Sequence, residues 1–230
     1  MRTRRPLFHA APALLVGLAL GALLLFPACS EQGTRSLSDT EYWRVRFSHG
    51  EGIDTVVAQG RAAVPLLNTL LADSNENVVQ FAAMAAQQIG PEAAGTVPAM
   101  VNALVRYPNQ AYVTQALKTM KDDAVQHLVP LLADGDAELQ KQAVLALNGI
   151  GSPAASALEP LLRIAEDTSA PTELRKEALV TLGSIGEEAI SAIPRINEIA
   201  VKEDALRQSA AMANKRLKYA KRVREKGGDR

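Results

Sequence analysis

Residues 174–186 read LRKEALVTLGSIG, and this segment decides the fold. Its apolar side chains follow at steps of four, four and three residues: Leu174, Ala178, Leu182 and Ile185. This spacing is one face of a helix with 3.6 residues per turn. Gly186, directly after that face, can take the left-handed backbone conformation that ends a helix. We therefore predict an amphipathic α-helix that stops at this glycine.

The same pattern recurs along the chain at intervals of about 32 residues. Its central alanine has a counterpart in each of five segments: Ala82, Ala116, Ala143, Ala178 and Ala210. A second series lies half a unit out of phase: Pro65, Pro98, Pro130, Pro160 and Pro194. Self-similarity at this period is typical of stacked helical repeats, in which no unit can bury its apolar face alone. We predict an all-α protein built from pairs of helices.

The proline lies in the first helix of each pair. We predict these first helices at 61–72, 92–106, 123–133, 154–166 and 187–201. A proline inside a helix removes one backbone hydrogen bond and clashes with the preceding turn. Its recurrence favours a kink in every unit, and the alternative is a helix that begins only at the proline. The second unit departs from the pattern, because Met120 is followed by Lys121 rather than by glycine, which predicts a shorter turn.

Acidic residues stand between the two helices in four of the five units: Asp73, Asp134, Asp136, Asp167 and Asp204. They are placed to cap the second helix or to meet a basic residue in its first turn. Together with the prolines and the motif Ala-x-x-x-Leu-x-x-Ile-Gly at 143–151 and 178–186, they resemble HEAT-like repeats. The resemblance covers about 53–218 and implies a right-handed α-solenoid of about five two-helix units. It also implies a ladder of aspartate and basic residues, which Asp167 and Arg175 match.

The N-terminal segment predicts export. Residues 1–5 are cationic, and 13–26 form an uncharged aliphatic stretch of signal-peptide length, shorter than the roughly 20 residues that span a bilayer. Ala28 is the small residue that signal cleavage prefers, and Cys29, the only cysteine of the chain, follows it. No disulfide can therefore form within the chain. The alternative is an uncleaved signal anchor, in which 10–26 span a thin membrane.

Residues 25–29, LFPAC, resemble the lipobox of bacterial lipoproteins. The resemblance implies that Cys29 is acylated and becomes the mature N-terminus in the bacterial cell envelope. Two or more acyl chains give stable membrane attachment, whereas one is marginal. By the same resemblance, Ser30 after the cysteine favours the periplasmic face of the outer membrane over the inner membrane.

The chain divides into five predicted parts: a signal peptide at 1–28, a flexible tether at 29–38, N-terminal capping helices at 39–60, the repeat solenoid at 61–218 and a basic tail at 219–230. A terminal unit must cover the open end of the stack, because a bare apolar face aggregates. We assign this capping role to Trp43 in preference to ligand binding.

The formal net charge of zero conceals an uneven distribution. Residues 29–214 carry a net charge of −9, and 215–230 carry +6. Basic residues near a helix C-terminus complement its dipole, so one interpretation is a frayed cationic helix end. The other is a contact with anionic lipid headgroups or cell-wall polymer, through Lys215, Arg216, Lys218, Lys221 and Arg222. We expect no nucleic-acid partner for an exported protein.

Catalytic and cofactor-binding motifs are missing from the sequence. Only His49 and His127 remain after the signal, in separate segments, and there is no HExxH motif, CxxC pair or glycine-rich phosphate loop. We therefore expect no enzymatic activity, cofactor, metal or small-molecule substrate. A remote alternative is an enzyme similar to bilin lyases, which share HEAT-like repeats, although the chain offers neither an aromatic-rich cleft nor suitable acid or histidine chemistry.

We hypothesise a lipid-anchored envelope scaffold that binds another protein along its second helices. The candidate contacts are polar residues of those helices: Gln115, Lys118, Lys141, Arg175, Lys176 and Arg207. This hypothesis rests on the fold, because stacked helical pairs are commonly binding surfaces. The alternative is a mechanical spacer or assembly chaperone, which would tolerate charge reversal on that face.

Overall fold

The structure is a computed structural model that describes residues 36–107 and 110–227. The predicted signal peptide, the predicted lipidation site Cys29 and most of the predicted tether lie outside the described residues. Every regular element in the described part is helical, which confirms the all-α prediction.

Two short helices precede the repeats: α1 (Thr40–Ser48) and α2 (Ile53–Val57). Five pairs follow within the described residues: α3 (Val64–Leu71) with α4 (Glu76–Ile89), α5 (Val97–Arg106) with α6 (Ala111–Thr119), α7 (Asp122–Leu128) with α8 (Ala137–Ile150), α9 (Leu158–Glu166) with α10 (Thr172–Ile185), and α11 (Ile193–Lys202) with α12 (Arg207–Gly227). Each second helix packs on the next one, from α4 to α12, and neighbouring first helices meet partly through 3₁₀ segments. The fold is an all-α solenoid.

Proline marks the start of a first helix rather than a kink within it. Each of these first helices begins one residue before its proline, so that Pro65, Pro98 and Pro194 are the second residues of α3, α5 and α11. A 3₁₀ helix precedes each of them: Gly60–Ala63, Gly90–Thr96 and Gly186–Ala192. The first N–H groups of an α-helix have no intrahelical partner, so proline there removes no bond. The prediction of a kinked α-helix is therefore wrong in these three units.

The other two units vary this arrangement. Pro160 is the third residue of α9, after the 3₁₀ helix Ser152–Ala157. In the third unit the order is reversed, because α7 comes first and Pro130 lies in the 3₁₀ helix Val129–Ala133. The recurring proline thus marks a change of helix type in all five units.

Glycine ends three of the second helices, as predicted. Gly90, Gly151 and Gly186 have φ values of +74°, +77° and +77°. Their ψ values of −143°, −132° and −126° differ from those of the left-handed helix and belong to a region that is essentially open to glycine alone. A Cβ on Gly90 or Gly186 would meet no atom within 4 Å, so backbone conformation, and not space, selects glycine there.

The second unit makes a similar turn without glycine. Lys121 has φ 46° and ψ −119° and is the only non-glycine residue with positive φ in the described part of the chain. Its backbone lies in the same quadrant as the three glycines. Such a conformation costs a residue with a Cβ about 1–3 kcal/mol, which the packing of α6 and α7 on their neighbours must offset.

The predicted apolar faces form the core. Leu174 is 2% exposed, and Ala178, Leu182 and Ile185 are fully buried. At the N-terminal end, α1 packs against α4, and Trp43 and Phe47 are buried. The indole Nε1 of Trp43 donates a hydrogen bond to the carbonyl of Ser36 at 3.2 Å. A buried ring with a satisfied donor is what an end-covering side chain requires.

We expect Gly186→Ala to lower the free energy of unfolding by about 1–3 kcal/mol, because alanine is strained at positive φ. Urea denaturation followed by circular dichroism measures the change. Gly135→Ala is the matched control, since its Cβ would also meet no atom within 4 Å but its φ is not positive. Equal effects of the two substitutions would contradict this account.

By the same argument, we expect Lys121→Gly to raise the free energy of unfolding instead of lowering it. Glycine at this position relieves the strain, so stability should rise by roughly 1 kcal/mol in the same urea assay. Lys118→Gly, within helix α6, should instead lower stability by a similar amount. A destabilised Lys121→Gly protein would show that its side chain, rather than its backbone, decides the energy.

Candidate partner-binding surfaces

The structure distributes the predicted second-helix contacts over α6, α8, α10 and α12. Gln115 and Arg207 are exposed, and Lys118, Lys141 and Lys176 are partly exposed. The aliphatic chain of Lys118 lies over Gly149 of α8, where an added Cβ would come within 2.3 Å of its Cδ. These five residues are accessible to a partner, and Arg175, the sixth predicted contact, is not.

Carboxylates three residues earlier in the chain pair with three basic residues of this surface, Lys141, Lys176 and Arg207. Lys141 Nζ lies 3.6 Å from Glu138 Oε2, and Lys176 Nζ lies 2.7 Å from Glu173 Oε1. Arg207 pairs with Asp204 at the same three-residue spacing. Exposed pairs of this kind contribute at most about 1 kcal/mol each. A partner can therefore replace them at little cost.

Arg175 is 4% exposed and holds the structure together instead of facing a partner. Its two terminal nitrogens donate to the Glu203 carboxylate at 2.7 and 2.5 Å, and its Nε donates to the Ala165 carbonyl at 3.1 Å. This fork-to-fork geometry is the strongest arrangement for an arginine and a carboxylate. Arg175 thereby ties α10 to the end of α9 and to the unit that follows.

Asp167 is not the hydrogen-bonding partner of Arg175, which corrects the predicted ladder. Its Oδ1 accepts hydrogen bonds from the Ser169 hydroxyl at 2.6 Å and the Ser169 backbone N–H at 2.9 Å. These bonds hold the pKa of Asp167 below its usual value, with a small further contribution from the charge of Arg175. The bonds from Arg175 likewise lower the pKa of Glu203.

In the third and fourth units, the residue after the first leucine of the second helix binds backbone carbonyls. Gln140, at the place equivalent to Arg175, donates from Nε2 to the carbonyls of Leu132 and Asp134 at 3.2 and 2.6 Å. Valine occupies this place in the first unit. There Arg106, from the next first helix, donates to the carbonyls of Leu71, Ala72 and Asp73 at 2.5–3.0 Å. Each of these side chains satisfies carbonyls that a helix end leaves without partners.

The inter-helix aspartates shape the turns into the second helices. Asp73, Asp134 and Asp167 each accept a hydrogen bond from the backbone N–H two residues further on. Asp136 then caps α8 by accepting from the N–H groups of Glu138 and Leu139. The predicted capping role is confirmed for Asp136, and the predicted contact with a basic residue is confirmed for Asp204.

Helix α12 carries the predicted anionic-surface contacts: Lys215, Arg216, Lys218, Lys221 and Arg222. All five are exposed, and none has a carboxylate within 4 Å among the described residues. The helix continues to Gly227, so most of the predicted tail is helical. Its exposed apolar residues Met212, Tyr219 and Val223 follow at steps of seven and four, which places them on one stripe of the helix.

No group of three or more histidine, cysteine, aspartate or glutamate residues is arranged to hold a metal ion among residues 36–107 and 110–227. None of the helices in those same ranges combines the length and apolar character that crossing a bilayer requires.

Residues 125–215 match the family model for HEAT repeats, a segment of less than half the chain. Solved structures with a similar course of the chain include an engineered protein of the Northeast Structural Genomics Consortium, at 23% identity over 80% of this chain and 93% of that one, with a TM-score of 0.48. Another is a designed armadillo repeat protein in complex with the peptide (KR)4, at 22% identity over 82% and 95%, with a TM-score of 0.46. None of the curated proteins matches the chain.

The described part of the chain is thus an all-α solenoid of helical pairs, and its segment 125–215 is similar to HEAT repeats. Solenoids of this kind expose long surfaces that typically serve as scaffolds for other proteins rather than as catalysts. The predicted handedness of the solenoid remains a prediction.

We expect Arg175→Gln to lower the melting temperature at pH 7. The lowered pKa of Glu203 means that its pairing stabilises the fold above the ordinary pKa of 4.5 and is lost as the pH falls through the folded value. The difference in melting temperature between the variant and the original protein should therefore shrink as the pH is lowered below 4.5, as thermal denaturation at a series of pH values would show. Lys176→Gln, which breaks an exposed pair, should have little effect. If the difference in melting temperature between Arg175→Gln and the original protein did not change with pH, the stabilising role of the Arg175–Glu203 ion pair would be contradicted.

Proposed function

We propose that this protein is a lipid-anchored scaffold of the bacterial cell envelope that binds another protein along its second helices. The observation that carries the proposal is the set of accessible polar side chains on α6, α8, α10 and α12. Gln115, Lys118, Lys141, Lys176 and Arg207 are the contacts we assign, and Arg175 supports them from the core.

The electrostatics of this surface favour a partner with its own charged groups. Each exposed lysine of α8 and α10 already has a carboxylate three residues before it. A partner carboxylate can take over the lysine, while a partner lysine or arginine can take over the glutamate. Such exchange gives specificity and a faster encounter more than raw affinity.

The double charge reversal Lys141→Glu with Lys176→Glu should weaken partner capture about tenfold or more, because it turns two alternating charges into an acidic strip. The measurement is crosslinking and pull-down from membranes that hold the full chain. Arg163→Glu, an exposed residue of first helix α9, is the matched control. A mechanical spacer or chaperone would tolerate both changes equally, and that result would overturn the scaffold proposal.

The membrane attachment we propose is an acyl group on Cys29, and the location is the periplasmic face of the outer membrane. The support is the lipobox-like sequence at 25–29 and the position of the only cysteine directly after a signal-like segment. Several acyl chains hold a protein in a membrane stably. The tether that follows would keep the solenoid within about 30 Å of the bilayer surface.

Cys29→Ser should move the protein from the membrane fraction to the soluble fraction after extraction with high salt. Partition of the variant like the original protein would contradict the anchor. Ser30→Ala, which leaves the cysteine in place, is the control and should stay membrane-bound.

A second membrane contact is favoured by the exposed apolar stripe of α12. Lys215 and Arg216 flank the stripe of Met212, Tyr219 and Val223 on the helix, an arrangement typical of helices that lie on anionic membranes. The released Cys29→Ser protein should then still float with phosphatidylglycerol vesicles, and not with phosphatidylcholine vesicles. Absence of flotation would leave Cys29 as the sole attachment.

A further inference from the structure

Helices α11 and α12 enclose a groove of about 440 Å³ on the side of the last described pair where no further pair stacks. Small side chains, Ala200 and Ala211, form part of its floor, and Asn197 and Asn214 stand between the two helices. The rim carries only positive charge: Arg207, Lys215, Lys218 and Arg222. The groove lies on a different side of α12 from the stripe of Met212, Tyr219 and Val223.

Asn214 occupies a position that the repeat gives to an apolar residue. Leu147 and Leu182 stand four residues after the central alanine of their units and are fully buried. Asn214 stands four residues after Ala210 and is 7% exposed. Asparagine in this place buries less apolar surface than leucine would, and burying its polar amide is unfavourable unless the amide is hydrogen-bonded. Its amide therefore needs a partner.

Only one end of that amide has a partner in the described protein. Asn214 Nδ2 donates to Asn197 Oδ1 at 2.8 Å, while Asn214 Oδ1 is buried without a hydrogen-bond partner among the described residues. The amide nitrogen of Asn197, an exposed residue, remains a donor beside it. The pair thus leaves one buried acceptor that lacks a donor, on Asn214, and one exposed donor, on Asn197.

We propose that this groove binds an extended acidic peptide segment of a partner protein, which deepens the proposed scaffold function and rests on it. A peptide group carries an N–H and a C=O, so it complements the Asn214 and Asn197 amides in either amide orientation. Acidic side chains of the segment then pair with the cationic rim.

The recessed position of Asn214 favours a peptide over a lipid surface. The phosphodiester group of a lipid supplies acceptors only, so a donor for the buried Oδ1 would have to come from another part of the headgroup reaching into the groove. A flat membrane also contacts exposed side chains, whereas Asn214 lies in the floor of the groove. Three of the rim residues, Lys215, Lys218 and Arg222, have no carboxylate within 4 Å in the described residues, so their charge is free for a ligand.

The test uses the full chain in detergent micelles and a fluorescein-labelled octapeptide of alternating glutamate and serine, followed by fluorescence anisotropy at low salt. Asn214→Leu introduces the residue that the third and fourth units have at this position and should therefore fold, with a melting temperature that is unchanged or raised. It should weaken peptide binding about 3–10-fold, the loss expected for one buried hydrogen bond. Asn197→Ala, on the exposed side of the pair, is a second variant with the same expected direction.

The charge contribution is tested separately. Lys218→Glu with Arg222→Glu should weaken binding of the octapeptide by about tenfold or more. Lys221→Glu, on the same helix but outside the groove lining, should cost about twofold at most. A peptide in which glutamine replaces glutamate should bind far more weakly than the acidic one.

Three results would overturn the inference. The first is equal affinity of the original protein and of Asn214→Leu. The second is equal binding of the acidic and the glutamine peptides. The third is a rim reversal that abolishes flotation with phosphatidylglycerol vesicles but leaves peptide affinity unchanged, which would assign the rim to the membrane. Since Lys141 and Lys176 are untouched, failure here is distinguishable from failure of the second-helix surface.

Discussion

The apolar face of each helical pair must be covered by the next pair, and the rest of the structure depends on that constraint. The small central alanines, such as Ala143 and Ala178, are fully buried because second helices approach closely there. Gly183 shows how closely, since a Cβ on it would lie 2.9 Å from the Cα of Ala213 in α12. With a backbone so near, even alanine would force α10 and α12 apart.

This stacking separates the surface into parts with different tasks. Residues at the junctions between helices, such as Arg106, Gln140 and Arg175, satisfy backbone carbonyls and join successive elements. The lysines on the outer faces of α8 and α10 pair only locally, over one helical turn. The interior is thereby stabilised independently of the exposed charges, so that evolution can alter a binding surface without altering the core.

The sequence was sufficient to predict the helical pairs, their period and their glycine ends, because periodicity and helix breakers act over a few residues. It could not separate a kinked α-helix from a 3₁₀ helix that leads into one, since both place Pro65 at the same site. It misassigned Arg175, because which carboxylate lies nearest depends on the stacking of units. Asn214 could have been found from the sequence, because the other four units have an apolar residue at the equivalent position, four residues after the central alanine. The groove that Asn214 lines could be found only in the structure.

The bonds between neighbouring units also mean that the repeats are not interchangeable modules. A chain cut after α4 would lose Arg106, and the carbonyls of Leu71, Ala72 and Asp73 would lose their donor. Deleting the fifth unit would leave Arg175 without the carboxylate of Glu203. Shuffling or shortening this solenoid would therefore require new helix ends to be designed at every junction, even though the units follow one pattern.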